Sequence, residues 1–402
     1  MRGGAAQRSW TAAAPYGGVK EKVRPRPLPS PRVPGEVLQS RTTRPKPSLD
    51  PLCFSVEPSA AVRNGGADDL ISGLPDELLH LILLRLASIA AAARTSALSR
   101  RWRRVWTHIP ELVLPPPPAA SSADLDSIDA VLRSSSAPSL HTLKIDVSEI
   151  DGYDVPAHRV ASWLRFASER PAGRLHMDLP WASDTRLPGL RLDFDLRRVF
   201  HDTAEELALP LCERATEIGI DLGMNFFLRP PPAGSFTALT CLKIRSAQMD
   251  GGELGRAVSS AQCPLLRKLA LSCIQLVATY DVIICSASLQ CLHYSASETE
   301  KLEVTAPMLQ DICVSEPKEA NIVAPKLEKV EWNGNCYDPG RHKFAIAPRH
   351  LRSLLIMYST CYSTLISSAV LMRRFDTVNE LMVSLALLEE QPCFCTNNGT
   401  SP

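Results

Sequence analysis

No C-x-x-C pair occurs among the twelve cysteines of this 402-residue chain, and the closest grouping is Cys393-Phe-Cys395 near the C-terminus. That spacing argues against a zinc ribbon or a disulfide framework. Cys241, Cys273 and Cys291 sit inside apolar runs, as reduced thiols acting as small hydrophobes do. A reducing compartment, nucleus or cytoplasm, is therefore expected. Walker loops, H-E-x-x-H, G-x-S-x-G and dinucleotide fingerprints are missing too. His201-Asp202 and Cys361 have no partner at a useful spacing. The expectation is a non-enzyme with no cofactor and no metal. No apolar run follows Met1, so a secretory signal is not expected, and the Asn398-Gly-Thr400 glycosylation match carries no weight.

Net charge is also nearly absent, at +1, but it is unevenly placed. Residues 1–66 hold 11 Lys/Arg against 4 Asp/Glu and 10 of the 33 prolines, a local balance of +7 that leaves −6 for the rest. Such a segment cannot repay its ordering entropy with burial and is expected to be a disordered basic tail. A nucleic-acid or localisation patch and a transit peptide are the other readings; Glu21 and the lack of an amphipathic helix count against the last. Leu354–Met372 carries no charge over 19 residues, but its hydroxyl-rich middle favours a buried strand-turn-helix over a membrane span.

The most informative stretch begins at Asp68. Pro75 suits a first helical position, and Asp76 and Glu77 complement the positive end of the helix dipole. Leu78, Leu79, Ile82, Leu83 and Leu86 form one broad face, while Leu81 and Leu84 cover much of the other side. A helix so apolar must be covered nearly all round. Farther on, Leu98, Trp102, Val105, Trp106 and Ile109 share a second helical face, with Arg100, Arg101, Arg103 and Arg104 mainly opposite. About 45 residues cannot bury this much apolar surface alone, so a stable partner is expected.

These residues resemble the F-box. Its blocks stand here in order as Asp69-Leu-Ile71, Leu74-Pro-Asp-Glu-Leu-Leu79, Ile82-Leu83, Thr95-Ser-Ala-Leu-Ser-Arg-Arg-Trp102, and Trp106 with Pro110. The resemblance implies a three-helix module that binds the Skp-type adaptor of cullin-RING ubiquitin ligases. Carried over by position, adaptor contacts centre on Leu74, Pro75, Leu78, Leu79, Ile82 and Leu83, with Trp102, Val105 and Trp106 packing the module and forming part of its edge. The plainer reading makes them core residues of a small helical domain. The arginine cluster is read as a solvated face rather than a nucleic-acid patch, because helical spacing buries the tryptophans that stacking would need.

Pro115-Pro-Pro-Pro118 and the Ala/Ser run after it read as a stiff linker. Beyond it, apolar residues recur at i, i+3, i+5: Leu140-Leu143-Ile145, Ala215-Ile218-Ile220, Leu239-Leu242-Ile244, Leu266-Leu269-Leu271, Leu289-Leu292-Tyr294, Leu309-Ile312-Val314, Leu327-Val330-Trp332 and Leu351-Leu354-Ile356. Ala172-Leu175-Met177 is a degenerate copy. From the third copy onward the starts lie 27, 23, 20, 18 and 24 residues apart, a spacing similar to leucine-rich repeats. The expected Asn/Cys after each strand is met at Asn335 but not in most copies, so an irregular solenoid with variable convex segments is expected.

An F-box followed by such repeats resembles the plant F-box/leucine-rich-repeat family. The reading is thus an α/β chain with a tail at 1–66, an F-box at 68–112, a linker at 113–137, repeats at 138–372, and 373–402 as a C-terminal tail or truncated domain. Phe375–Glu390 reads as a final strand or helix. Strand positions between buried residues, namely Lys243, Lys268, His293, Asp311, Lys329, Glu331 and Ser353, are candidates for facing a target protein, though each could be plain solvated surface. The family implies a ubiquitin-ligase substrate receptor; a repeat scaffold without a degradation role shares every feature above. No membrane partner is expected, and nucleic-acid binding through the tail is the weaker alternative.

Overall fold

Each copy of the apolar triplet forms one parallel strand of a single large sheet. The computed structural model describes residues 71–386 apart from 72, 87–88, 115–121, 150–154, 171, 182–203, 316, 335–336, 360–369 and 376. The basic tail, His201-Asp202, Asn335, Cys361 and everything after 386 lie outside the described residues. All described residues fall in one unit, Asp68–Pro402.

The module at the start comprises α1 (Asp76–Leu84), α2 (Ile89–Arg94) and the single turn α3 (Trp102–Val105), with 3₁₀ turns at Thr95–Ala97 and Trp106–His108. The first repeats follow as β1 (Glu111–Leu114), α4 (Ser122–Ser134), β2 (Leu140–Asp146), α5 (Ala157–Glu169), β3 (Ala172–Asp178), β4 (Glu205–Ala208), β5 (Glu217–Asp221) and β6 (Phe226–Arg229). Then come β7 (Cys241–Met249), α6 (Gly251–Ala257), β8 (Lys268–Leu276), β9 (Asp281–Cys285), β10 (Cys291–Ser297), β11 (Lys301–Thr305) and β12 (Asp311–Ser315). The last strands are β13 (Glu319–Val323), β14 (Lys329–Gly334), β15 (His342–Ile346), β16 (His350–Ser359) and β17 (Thr377–Ala386).

The main sheet runs β1-β2-β3-β5-β7-β8-β10-β12-β14-β16-β17, with β4 and β6 branching from β7. Its register stacks like on like: Leu112, Leu143, Leu175, Ile218, Leu242, Leu269, Leu292, Ile312, Val330, Leu354 and Leu381 form one ladder across eleven strands. From Leu112 through Leu354 every rung is at most 5% exposed. Each such burial stabilises by roughly 2 kcal/mol over an exposed side chain. In the long strands β7 and β8, Ser246 and Cys273 stand at matching positions with φ of 51° and 53°.

On the convex side the returning segments change character along the chain. Early repeats return through α4, α5 and α6, whereas the later ones build a second parallel sheet, β15-β13-β11-β9. Both edges of that sheet meet other elements, as open edges otherwise invite pairing. At β9 the helix α6 lies with Gly255 so close that a Cβ there would stand 2.5 Å from the Ile283 carbonyl oxygen, and one on Gly251 2.5 Å from that of Thr279. At β15 the Arg374 guanidinium donates to the Phe344 and Ala347 carbonyls at 2.8 and 3.2 Å. The last repeats are filled by an aromatic cluster of Trp332, Tyr337, His342, Phe344 and Phe375.

Several expectations need correcting. The stretch 113–137 holds the end of β1 and the whole of α4, so β1 begins before the F-box motif has ended and no spacer separates module from sheet. The strand pattern also extends past both expected limits, to Glu111 and to Ala386, where β17 is the strand of the two forms expected after Phe375. The strand expected at Leu354 is the continuation of β16, and no helix among the described residues is long and apolar enough to cross a membrane.

Two predictions follow from these contacts. Gly255→Ala should cost on the order of 1–3 kcal/mol by driving α6 off β9, read as a lower midpoint in thermal denaturation. Gly252→Ala, whose Cβ would meet Asp250 Oδ1 at 3.2 Å and the Thr279 side chain no nearer than 3.8 Å, should cost less. The second concerns acid. His342 is buried, its Nδ1 accepts the Asp338 backbone N–H at 2.9 Å, and its Nε2–H therefore donates to the Pro317 carbonyl at 3.2 Å. Burial holds its pKa below the ordinary 6.5. The unfolded chain then binds the proton more readily, so stability present above pH 6.5 should fall as pH drops from there through the lowered value. Denaturant titrations at stepped pH should show this component, and His342→Gln should lack it.

Candidate functional site

Two surfaces stand out, one on the helical module and one on the main sheet. In the module, Pro75 is the residue before α1, with φ −65° and ψ 157°, one position earlier than the sequence suggested. Asp76 and Glu77 occupy the first turn. Arg101 ties the helices together: its Nε donates to Asp76 Oδ1 at 2.9 Å, and its Nη2 bonds both that oxygen and the Leu74 carbonyl. His80 Nε2 lies 2.9 Å from the Val105 carbonyl oxygen, a second tie between α1 and α3. Arg101 is thus a structural residue, and the expected all-solvated arginine face loses one member.

These ties orient α1 so that its apolar residues divide into two stripes. Leu79 and Leu83 are inside, 1% and 2% exposed, with Trp102, Val105 and Ile109. Leu78, Leu81, Ile82 and Leu86 lie outside at 42%, 58%, 40% and 36%. The spacing i, i+3, i+4 makes Leu78, Leu81 and Ile82 one helical stripe of α1, and Leu86 lies two residues beyond the helix end. Of the nine residues assigned to adaptor contact, Pro75, Leu78 and Ile82 are exposed, Leu74 and Trp106 half-buried, and Leu79, Leu83, Trp102 and Val105 belong to the core. The helical period alone could not separate the stripes, because both are apolar; only the partners on α3 decide which turns inward. Leu98 was placed on the buried face with Trp102 but is 70% exposed, because the 3₁₀ turn before it breaks the helical phase.

On the main sheet, the residues between the buried rungs form three rows. Lys268, Asp311, Lys329 and Ser353 fall in the first row; Lys243, His293 and Glu331 fall in the second. Lys243 and Lys268 are exposed and the others half-buried, so the seven candidates share one face. Lys243 Nζ lies 2.9 Å from Glu217 Oε1, and this bond holds the Glu217 carboxyl below its usual range. Asn333 Nδ2 donates to Glu331 at 3.1 Å.

Sequence reasoning missed the third row. Asp146, Asp178 and Asp221 stand side by side on β2, β3 and β5, with Arg245 next on β7. Lys144 Nζ sits 3.3 Å from Asp146 and 4.0 Å from Asp178, and Arg245 Nε 3.6 Å from Asp221. Burial and then the Asp146 charge push the Asp178 carboxyl up. The signal was present, since an Asp follows the last apolar member of three successive triplets.

The thiols on this face are poor nucleophiles. Burial pushes Cys313 up to about 12 and raises Cys241 and Cys291 as well, so all three stay protonated. The seven described cysteines are free. Among the described residues no group of three or more His, Cys, Asp or Glu is placed to hold a metal ion.

Comparison with known proteins matches both parts. Residues 71–113 match the F-box domain model, and 160–346 match the leucine-rich repeats of the FBD-associated F-box protein At5g56370. The Arabidopsis thaliana F-box protein At5g03100 is 36% identical over 110 residues, covering 27% of this chain and 33% of the relative. F-box/LRR-repeat protein At5g02910 from the same plant is 31% identical over 150 residues, 36% of this chain and 30% of the relative. Putative F-box/LRR-repeat protein At5g02700, also from that plant, is 28% identical over 207 residues, 50% of this chain and 38% of the relative. The chain thus spans about a third of the length of these relatives. With an F-box running directly into a ladder of parallel repeat strands, and relatives built of the same two parts, this chain is a plant F-box/leucine-rich-repeat protein.

Proposed function

We propose that the chain is the substrate-receptor subunit of a Skp-cullin-F-box type ubiquitin ligase. The F-box would dock a Skp-type adaptor, and the main-sheet face would hold a protein target. The observation that carries this reading is the outward stripe of Leu78, Leu81 and Ile82, with exposed Leu86 just beyond it, on a module whose own core is already filled by Leu79 and Leu83. An apolar stripe on so small a unit calls for a partner, and burying it would provide the free energy of docking. The receptor contributes no bond-breaking chemistry in this reading. It raises the effective concentration of a target lysine near a loaded enzyme. Nucleus and cytoplasm, where such ligases and reduced thiols coexist, are the proposed location.

Recognition on the sheet face would come from fixed polar groups. Lys243–Glu217 and Arg245–Asp221 are ion pairs already formed in the free protein, so their ordering cost is met before any target arrives.

The test is co-purification of the full chain with a Skp-type adaptor. Leu78→Lys/Ile82→Lys should abolish the complex with little change in thermal stability, since both side chains are exposed. Leu79→Ala should instead lower stability by about 2–5 kcal/mol. Failure of the wild-type chain to bind the adaptor would overturn the docking reading. A docked chain whose removal changes no interactor's half-life would be a scaffold instead of a receptor.

A further inference from the structure

Charge is unevenly spread over the outward face of the main sheet. Strands β7, β8 and β10 are adjacent, and none of them contains an Asp or a Glu. Their outward positions carry Lys243, Arg245, Lys268 and His293 instead. On the β5 side, Glu217 and Asp221 pair with Lys243 and Arg245 at 2.9 and 3.6 Å. Lys268 makes no ion pair among the described residues. Its neighbours across the strands are Cys241 and Cys291, thiols that burial keeps protonated. Farther along that row, Asp311 stands two strands from Lys268 and has Lys329 as its own neighbour. One positive charge is left over at the middle of the face.

The same place has a gap in its side chains. Ala270, half-buried, is the middle outward residue of β8, with Lys243 in register on β7 and His293 on β10. Such lateral neighbours stand about 4.8 Å apart, and Lys268 and Ser272, two residues away along β8, about 6.6 Å from Ala270. A single methyl group is therefore ringed by two ammonium groups, an imidazole and a hydroxyl, each able to donate a hydrogen bond. The floor is firm, because Leu269 and Leu271 on either side of Ala270 are 1% and 0% exposed. Resting on the reading that this face holds a protein target, we propose that the target seats an Asp or Glu side chain over Ala270. Its carboxylate takes a charge-assisted hydrogen bond from Lys268 and further bonds from Lys243, His293 or Ser272. A basic target residue at that point would meet two lysines and no acid on three strands. The part of the face from β2 to β5, with Asp146, Asp178 and Asp221, holds no such seat. The acidic residue would thus fix where along the sheet the target lies.

Selection of a random-peptide display library on the full-length chain tests the proposal. The retained peptides should share an Asp or Glu at one position. In a synthetic copy, changing that residue to Asn or Gln should weaken binding about tenfold, read by fluorescence anisotropy, and Lys268→Met should do the same. Both changes together should cost little more than either alone, since each removes the same contact. Ala270→Leu should block the seat, whereas Lys326→Met, on the exposed turn before β14, should change nothing. Circular dichroism and adaptor binding should be unchanged in all three variants, which separates loss of the seat from loss of fold or of docking. Retained peptides with no shared acid, or acidic peptides indifferent to Lys268→Met and Ala270→Leu, would overturn the seat and leave the target face standing. A chain that binds the adaptor but retains no peptide would overturn the seat and count against the target face as well.

Discussion

Lateral stacking of like rungs holds this protein together. A parallel strand of four to ten residues cannot bury its own side chains, and the inner strands are stable because Leu, Ile or Val on the strand before and the strand after close over them. The ladder from Leu112 to Leu354 is therefore both the core and the organiser. It fixes the three outward rows at constant register, sets where the convex segments begin, and makes every local property depend on two neighbours. The aromatic cluster around Trp332 and the apolar wedge of α6 are local solutions to filling the space behind that ladder.

The convex side shows how loosely the rest is constrained. Helices suffice early, and a second sheet later, because the ladder asks only that each return segment cover its back and deliver the chain one strand along. The edges impose stricter chemistry. Two glycines let α6 approach the backbone of β9, and one guanidinium satisfies the carbonyls beside β15. These are specific devices at places where a generic apolar contact would not fit.

Much of the main sheet was legible in advance because its signal repeats: a triplet that recurs nine times reveals a strand that no single copy would. What did not repeat was hidden. The strand β1 lies under the end of the F-box pattern and before a proline run, so its four residues read as the end of one thing and the start of a linker. The strands of the second sheet are five residues each, too short to distinguish from the turns around them. The stripes of α1 failed for another reason, since a helix apolar on both sides carries no information about which side is covered. Leu79 and Leu83 are core because of Trp102 and Val105, residues some twenty positions away.

The absence of a spacer between the F-box and β1 bears on how the molecule is made. The helical module leaves the ribosome before the repeats do, and with it the β1 end of the sheet. Every later strand then emerges beside a finished edge and has only to add one layer, a short search with little loop entropy to overcome. Chain direction and solenoid direction coincide, so translation itself supplies the template on which the next repeat sets.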